Sequence, residues 1–232
     1  FKLGAGRLNS GGVFCQWVQT YQMSARDLGS IVKTFHEVFP NISVWMGWPG
    51  DLILIGSAAP LVVDYPTVAA AARGPVLAKD LALVGIADLE GLLAGNLGCN
   101  ATADALAAAG GPVATDDNLL LEFSMPRHLM RADVPMVGFN LLAGAMEAHW
   151  DGLDLTGLPA DSVASLTTRL TTARAGRRAA LLGIQAADAG QSEAGACGED
   201  TASGVGSQGR LRAERGQRIG AMGYNDPDEP SR

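Results

Sequence analysis

An α/β fold built on an open, doubly wound sheet is the architecture the sequence predicts, with the chain supplying the later part of that sheet. Three observations lead there. Gly11-Gly12 feed a short β-branched and aromatic run, Val13-Phe-Cys-Gln-Trp-Val18. An amphipathic helix follows and stops before Pro40, and two short apolar strands then close a hairpin. The sequence also opens in mid-pattern at Phe1 without an initiator Met, as the back half of a larger domain would.

Each element has a local cause. Val13 to Val18 reads as a buried-type strand because it is a short apolar run bounded by glycines. Ser24 is a good N-cap, and Asp27 is the shorter version of a capping-box partner. The helix behind them carries Leu28, Ile31, Val32, Phe35, Val38 and Phe39 on one stripe, which packs on a sheet face. Ile42, Val44 and Met46 alternate with Ser43 and Trp45, a half-buried strand. Trp48-Pro49-Gly50-Asp51 suits a type II turn, and Leu52 to Ile55 returns as an apolar strand. From Tyr65 to Gly110 short Ala- and Leu-rich helices are broken at Gly74-Pro75, Gly85, Gly95 and Gly98. Asp88 is placed to cap one of them, and Asn100 or Thr102 another. Thr115 to Arg127 is a polar turn running into a buried apolar strip, and Phe139 to Trp150 suits one more helix.

Four segments result. Residues 1–60 hold the sheet, and residues 61–150 form a helical extension containing the Thr-Asp-Asp turn. Residues 151–185 form a basic amphipathic helix, with Val163, Leu166 and Leu170 on one face and Arg169, Arg174, Arg177 and Arg178 on others. Such a helix binds partners or membranes, or is simply a solvated terminal helix. Residues 186–232 are dominated by Gly, Ala, Ser, Gln, Glu and Arg, a composition that buries too little surface to offset chain entropy, so disorder is expected.

Composition narrows the function classes. The net charge of −7 argues against nucleic acid, which needs a clustered basic face. Cys15, Cys99 and Cys197 are scattered and odd in number, which suits reduced thiols in the cytoplasm rather than a disulfide framework or zinc site. The longest apolar run, Leu52 to Val63, is interrupted by Gly56 and Pro60, so no membrane span is expected within the chain. His36, His128 and His149 lack ligand spacing, so no metal is expected. No serine lies in a nucleophile-elbow motif.

Four segments together resemble the spermidine synthase family, and most nearly its bacterial spermidine synthase-like members, some of which are fused to membrane segments. They are Gly12-Val-Phe-Cys-Gln-Trp17, the helix end Phe35 to Pro40, Trp48-Pro-Gly-Asp51 and Thr115-Asp-Asp-Asn-Leu-Leu-Leu-Glu-Phe123. The resemblance spans roughly residues 7 to 130. It implies a Rossmann-like class I methyltransferase-type fold that transfers an aminopropyl group from decarboxylated S-adenosylmethionine, as co-substrate, to a diamine such as putrescine. It also implies a location in the cytoplasm or, in a membrane-fused form, at the cytoplasmic face of the inner membrane, and is compatible with a homodimer. In the family the adenosyl loop, the acidic ribose ligand and the catalytic aspartate all precede the strand matched by Val13 to Gln16. No catalytic residue is therefore assigned, and the chain alone is expected to be inactive.

The resemblance places Gln16 at a strand end beside the substrate. Its amide either fixes an amine or adenosyl group or satisfies loop backbone. Trp17 and Tyr21 either wall a slot for a methylene chain or ammonium group, or belong to the core. Trp48 sits where the family closes an aromatic turn over substrate, although the turn is shorter here. Asp116 and Asp117 form an acidic mouth for a polyamine, or merely cap a turn, the reading preferred. Two alternatives remain: an S-adenosylmethionine-dependent methyltransferase of the same fold, and a non-catalytic polyamine- or nucleotide-binding domain of a membrane protein.

Overall fold

The structure, a computed structural model, describes residues 1–21, 23–47, 50–86, 88–129, 139–147, 150 and 152–197. The elements run α1 (Lys2–Ala5), β1 (Val13–Gln19), α2 (Ala25–His36), β2 (Asn41–Met46), β3 (Asp51–Ser57) and β4 (Val63–Asp64). They continue through α3 (Tyr65–Ala72), α4 (Pro75–Leu83), α5 (Leu89–Leu93), β5 (Asn96–Gly98) and α6 (Asn100–Ala107). The last are α7 (Leu120–Leu129), α8 (Phe139–Ala145), β6 (Leu153–Asp154) and α9 (Ala160–Cys197). The fold is mixed α/β with a mostly antiparallel sheet.

The main sheet has the order β1-β3-β2-β5, and every pairing in it is antiparallel. Since β1 and β2 both oppose β3, they run the same way, joined through α2 with β3 returned between them. Phe14, Leu54 and Val44 stand in one cross-strand row system with Val18, Leu52, Ile42 and Met46, and this face carries α2. There Phe35 and Phe39 pack on Phe14, with ring centroids 6.2 and 5.3 Å away. The expected helix stripe is therefore present: Leu28, Val32, Phe35 and Phe39 are all buried. Ser24 and Asp27 form the full capping box, the Asp27 amide donating to Ser24 Oγ and the Ser24 amide to Asp27 Oδ2.

The opposite face is less covered. Val13 and Trp17 are 51% and 52% exposed, so β1 is an edge strand with one solvated face rather than the fully buried strand expected. The cause is that these side chains stand on the face opposite α2, which is open to solvent at its β1 end. Trp45 on β2 meets Trp150 edge-to-face at 5.2 Å, which covers the far part of this face.

The later elements join through polar side chains. Glu147 reaches the start of α6, where Oε1 accepts from the amides of Cys99 (2.9 Å) and Thr102 (3.1 Å) and from the Thr102 hydroxyl (3.2 Å). The cap of α6 is thus this distant carboxylate, not the expected Asn100 or Thr102 side chain. An acidic group is favoured there because it meets orphan amides and the positive end of the helix dipole. Gly98, at φ +150°, makes room for it, since a Cβ would press on Thr102 Oγ1 and the Glu147 carboxylate.

On α9, Arg174 donates to the carbonyls of Asn96 (2.6 Å), Glu147 (2.6 Å) and Leu97 (3.3 Å). Arg174 is buried and Arg177 half-buried, in line with Leu166, Leu170, Leu181 and Ile184. The two arginines expected on other faces therefore lie on the packed stripe, because β5 ends in carbonyls that only a donor can satisfy. The helix also runs past 185 to Cys197, so residues 186–197, assigned from composition to a disordered tail, are helical. Residues 198–232 of that tail lie outside the described residues.

Truncation of the capping carboxylate gives a direct check. Glu147→Ala strands two backbone amides at the start of α6, and an N-cap loss plus an unsatisfied donor costs about 1–3 kcal/mol. Urea unfolding should show a lower midpoint with an unchanged slope; an unchanged midpoint would mean that water replaces the carboxylate fully.

Candidate functional site

A groove of about 420 Å³ lies along the outer edge of β1. Gln16, Trp17, Val18 and Gln19 form one side, Ile31 and Thr34 of α2 a second, and Leu121 and Met125 of α7 a third. Phe1, Met23 and Ala114 complete it. The lining is apolar, with amides and one hydroxyl as its polar groups. Two methionines give it soft, adaptable walls that suit a thioether, a methylene chain or an aromatic ring.

The third wall is stitched to α2 by short polar contacts. Ser30 Oγ donates to the Pro112 carbonyl at 2.5 Å, and the Ala114 amide donates to Thr34 Oγ1 at 2.8 Å. After an exposed turn, Leu119 adopts φ +41°, and the chain enters α7. The apolar strip expected up to Arg127 is thus a helix: Leu121 and Met125, four residues apart, face the groove, while Ser124 and His128 face Asp27. Asp27 Oδ2 accepts from Ser24 Oγ (2.7 Å), the Ser24 amide (3.1 Å) and Ser124 Oγ (3.0 Å), and lies 3.3 Å from His128 Nδ1. Burial alone would push the Asp27 carboxyl up, but the Ser24 and Ser124 hydrogen bonds and the His128 charge outweigh it. Its pKa is held below the ordinary aspartate value. Both serines donate to this carboxylate rather than to the imidazole, so the cluster anchors α7 and is not a nucleophile relay.

The expected site residues separate. Gln16 and Trp17 line the groove, but Gln16 is mid-strand, because β1 continues to Gln19. The Gln16 amide nitrogen donates to the Trp17 carbonyl at 2.7 Å, which leaves its oxygen as the acceptor for a ligand. Trp17 Nε1 donates to Asp51 Oδ1 at 2.9 Å, holding the indole against β3. Tyr21 follows the strand, its carbonyl accepting from Gln19, and is not part of the lining. Asp116 and Asp117 stand in the exposed turn before α7 and are not among the lining residues. Trp48 lies outside the described residues.

Sequence reading missed Met23, Thr34, Leu121 and Met125 as lining, and Ser124 and His128 as anchors. The i, i+4 spacing of Ser124 and His128 was the available signal. Among the described residues no group of three His, Cys, Asp or Glu side chains is placed to hold a metal, and no helix is long and apolar enough to cross a membrane. No family model, curated protein or solved structure matches the chain.

The sign of the Asp27 effect is fixed by its lowered pKa. The depressed value stabilises the fold above the unfolded-state value near pH 4, and that contribution is lost as pH falls through the folded value. Stability of the native chain and of Asp27→Asn should therefore differ by a steady amount above about pH 4 and converge below it. A gap that widens in acid would show that the carboxylate is not favoured in the folded state.

Proposed function

We propose that this chain is the later part of a spermidine synthase-like transferase, with the β1-edge groove as one wall of the pocket for decarboxylated S-adenosylmethionine and a diamine such as putrescine. The observation that carries this reading is topological. β1 and β2 run the same way through the α2 connection, β3 returns between them, and β1 keeps an outer edge at which a further strand of an open sheet would pair. The groove chemistry supports it as well. Met23, Met125 and Ile31 suit the thioether and methylene groups, the Gln16 oxygen accepts from an amine or adenosyl group, and the Trp17 ring attracts an ammonium group.

The groove residues themselves carry no carboxylate, so the acid–base work of transfer belongs to the part of the family fold that precedes β1. The same uncharged lining favours one competing reading, methyl transfer from S-adenosylmethionine. Competition between the carboxylated and decarboxylated forms for the groove separates the two.

Two outcomes are expected. The chain by itself should give no aminopropyl transfer from decarboxylated S-adenosylmethionine to putrescine, and turnover above buffer would place catalytic groups within it. Methylthioadenosine, the by-product of transfer, should shift the Trp17 indole and the Met23 and Met125 methyl signals in an NMR titration. Gln16→Ala removes a hydrogen bond of about 1 kcal/mol and should weaken this binding roughly fivefold with little change in melting temperature. Phe35→Ala should instead act on the fold, at a cost of about 3–5 kcal/mol of stability. Shifts confined to residues outside the groove would sink the reading.

A further inference from the structure

A second pocket, which shares no lining residue with the β1-edge groove, lies between α9, the end of α5, Trp150 and residues 153–155. It has a volume of about 140 Å³ and is walled by Leu93, Trp150, Leu153, Leu155 and Leu170, with Arg174 at its polar side. Thr167, Leu170, Thr171 and Arg174 are spaced i, i+3, i+4 and i+7, so one face of α9 contributes both hydroxyls and the guanidinium.

Arg174 is 6% exposed, and its acceptors among the described residues are neutral carbonyls, those of Asn96, Leu97 and Glu147. No carboxylate of the described residues lies within ion-pair distance of it. Its Nε–H is buried with no acceptor. A buried guanidinium with a missing hydrogen bond and no carboxylate in contact is costly, and an anion supplies both the acceptor and a closer counter-charge. Burial pushes the Arg174 pKa down, and the Glu147 charge only partly offsets it, which is the same deficit seen as a proton affinity.

We propose that this pocket binds a small carboxylic acid with a ring-sized apolar tail, its carboxylate on Arg174 and its tail against Trp150 and the leucines. The volume is close to that of apolar cavities of about 150 Å³ that take up benzene. A single guanidinium with most donors already committed to carbonyls suits a monoanion rather than a phosphate dianion, and the leucine walls demand an apolar remainder. The site is independent of the transferase reading, since it shares no residue with the groove.

Benzoate is the probe and benzamide its neutral control, followed through the Arg174 Nε–H and Trp150 indole resonances of the full chain. Benzoate should move both signals saturably and raise the melting temperature, while benzamide should leave the Nε–H in place. Leu155→Trp, which fills the apolar end, should weaken benzoate at least tenfold with the Nε–H signal retained. If that variant fails to fold, Thr171→Leu, on the exposed flank of α9, gives the same comparison. Equal responses to benzoate and benzamide, no response to either, or undiminished binding in the filled variant would overturn the proposal.

Discussion

The sheet can hold α2 only because Gly56 has no side chain. A Cβ there would stand 2.5 Å from Phe39 Cγ and 2.7 Å from Phe35 Cε1, inside any real contact distance. The missing atom lets both rings settle on the last residues of β3, the strand bonded to both β1 and β2. Phe35 and Phe39 then lie 4.7 Å apart, close to Phe14, and Phe1 joins edge-on at 5.1 Å from Phe35. Such rings bury large apolar areas and add geometric preference to that burial. The position of α2 follows from this contact. So does the groove, because Ile31 and Thr34 line it from the same helix that the rings hold down.

Farther along the chain the fold depends on polar groups acting over long sequence distances. Glu147 caps α6 with its side chain and receives Arg174 at its backbone carbonyl. One residue thus ties the start of α6 to α9, and Arg174 extends the tie to Asn96 and Leu97 of β5. This is why short helices with little amphipathic character keep fixed positions: α6 is positioned by hydrogen bonds at its N-terminus as much as by Ala103 and Leu106 in the core. Where those ties are missing, burial drops. α3 and α4 have no buried residue, and Val76 and Leu83 are exposed.

What could be read from the sequence divides along the same line. Signals that act within a few residues were legible: the Ser24–Asp27 box, the Asp88 cap, the α2 stripe, and the strands read over Ile42 to Met46 and Leu52 to Ile55. A capping residue needs only the amide three positions on, and a stripe needs only its own period. Signals whose partner lies elsewhere were not. Nothing near residue 100 announces that Glu147 will reach the start of α6, and Arg174 looks like a solvated cation until β5 presents its carbonyls. Gln16 and Trp17 line the groove. Asp116 and Asp117 were grouped with them by family order, but the stitching of residues 112–114 to Ser30 and Thr34 sends that turn outward before α7 folds back.

That separation bears on what the groove can recognise. A diamine carries two ammonium groups, and such groups bind through carboxylates or aromatic faces. Within the groove the aromatic rings are those of Trp17 and Phe1, and the Trp17 indole N–H is already tied to Asp51. The walls therefore suit the apolar and adenosyl parts of a ligand better than a dication. Under the proposed reading, the carboxylates that hold the diamine stand beyond the outer edge of β1. The edge is fit for such a neighbour: it carries Val13 and Trp17, half exposed, and none of the lysines or prolines that usually protect a free edge from pairing. A strand laid there would bond the free backbone groups of β1 and lie beside Gln16. Under the proposed reading, the β1 edge that no described strand pairs and the uncharged groove have one cause: this chain supplies the apolar wall of the site, and its charged wall pairs onto β1.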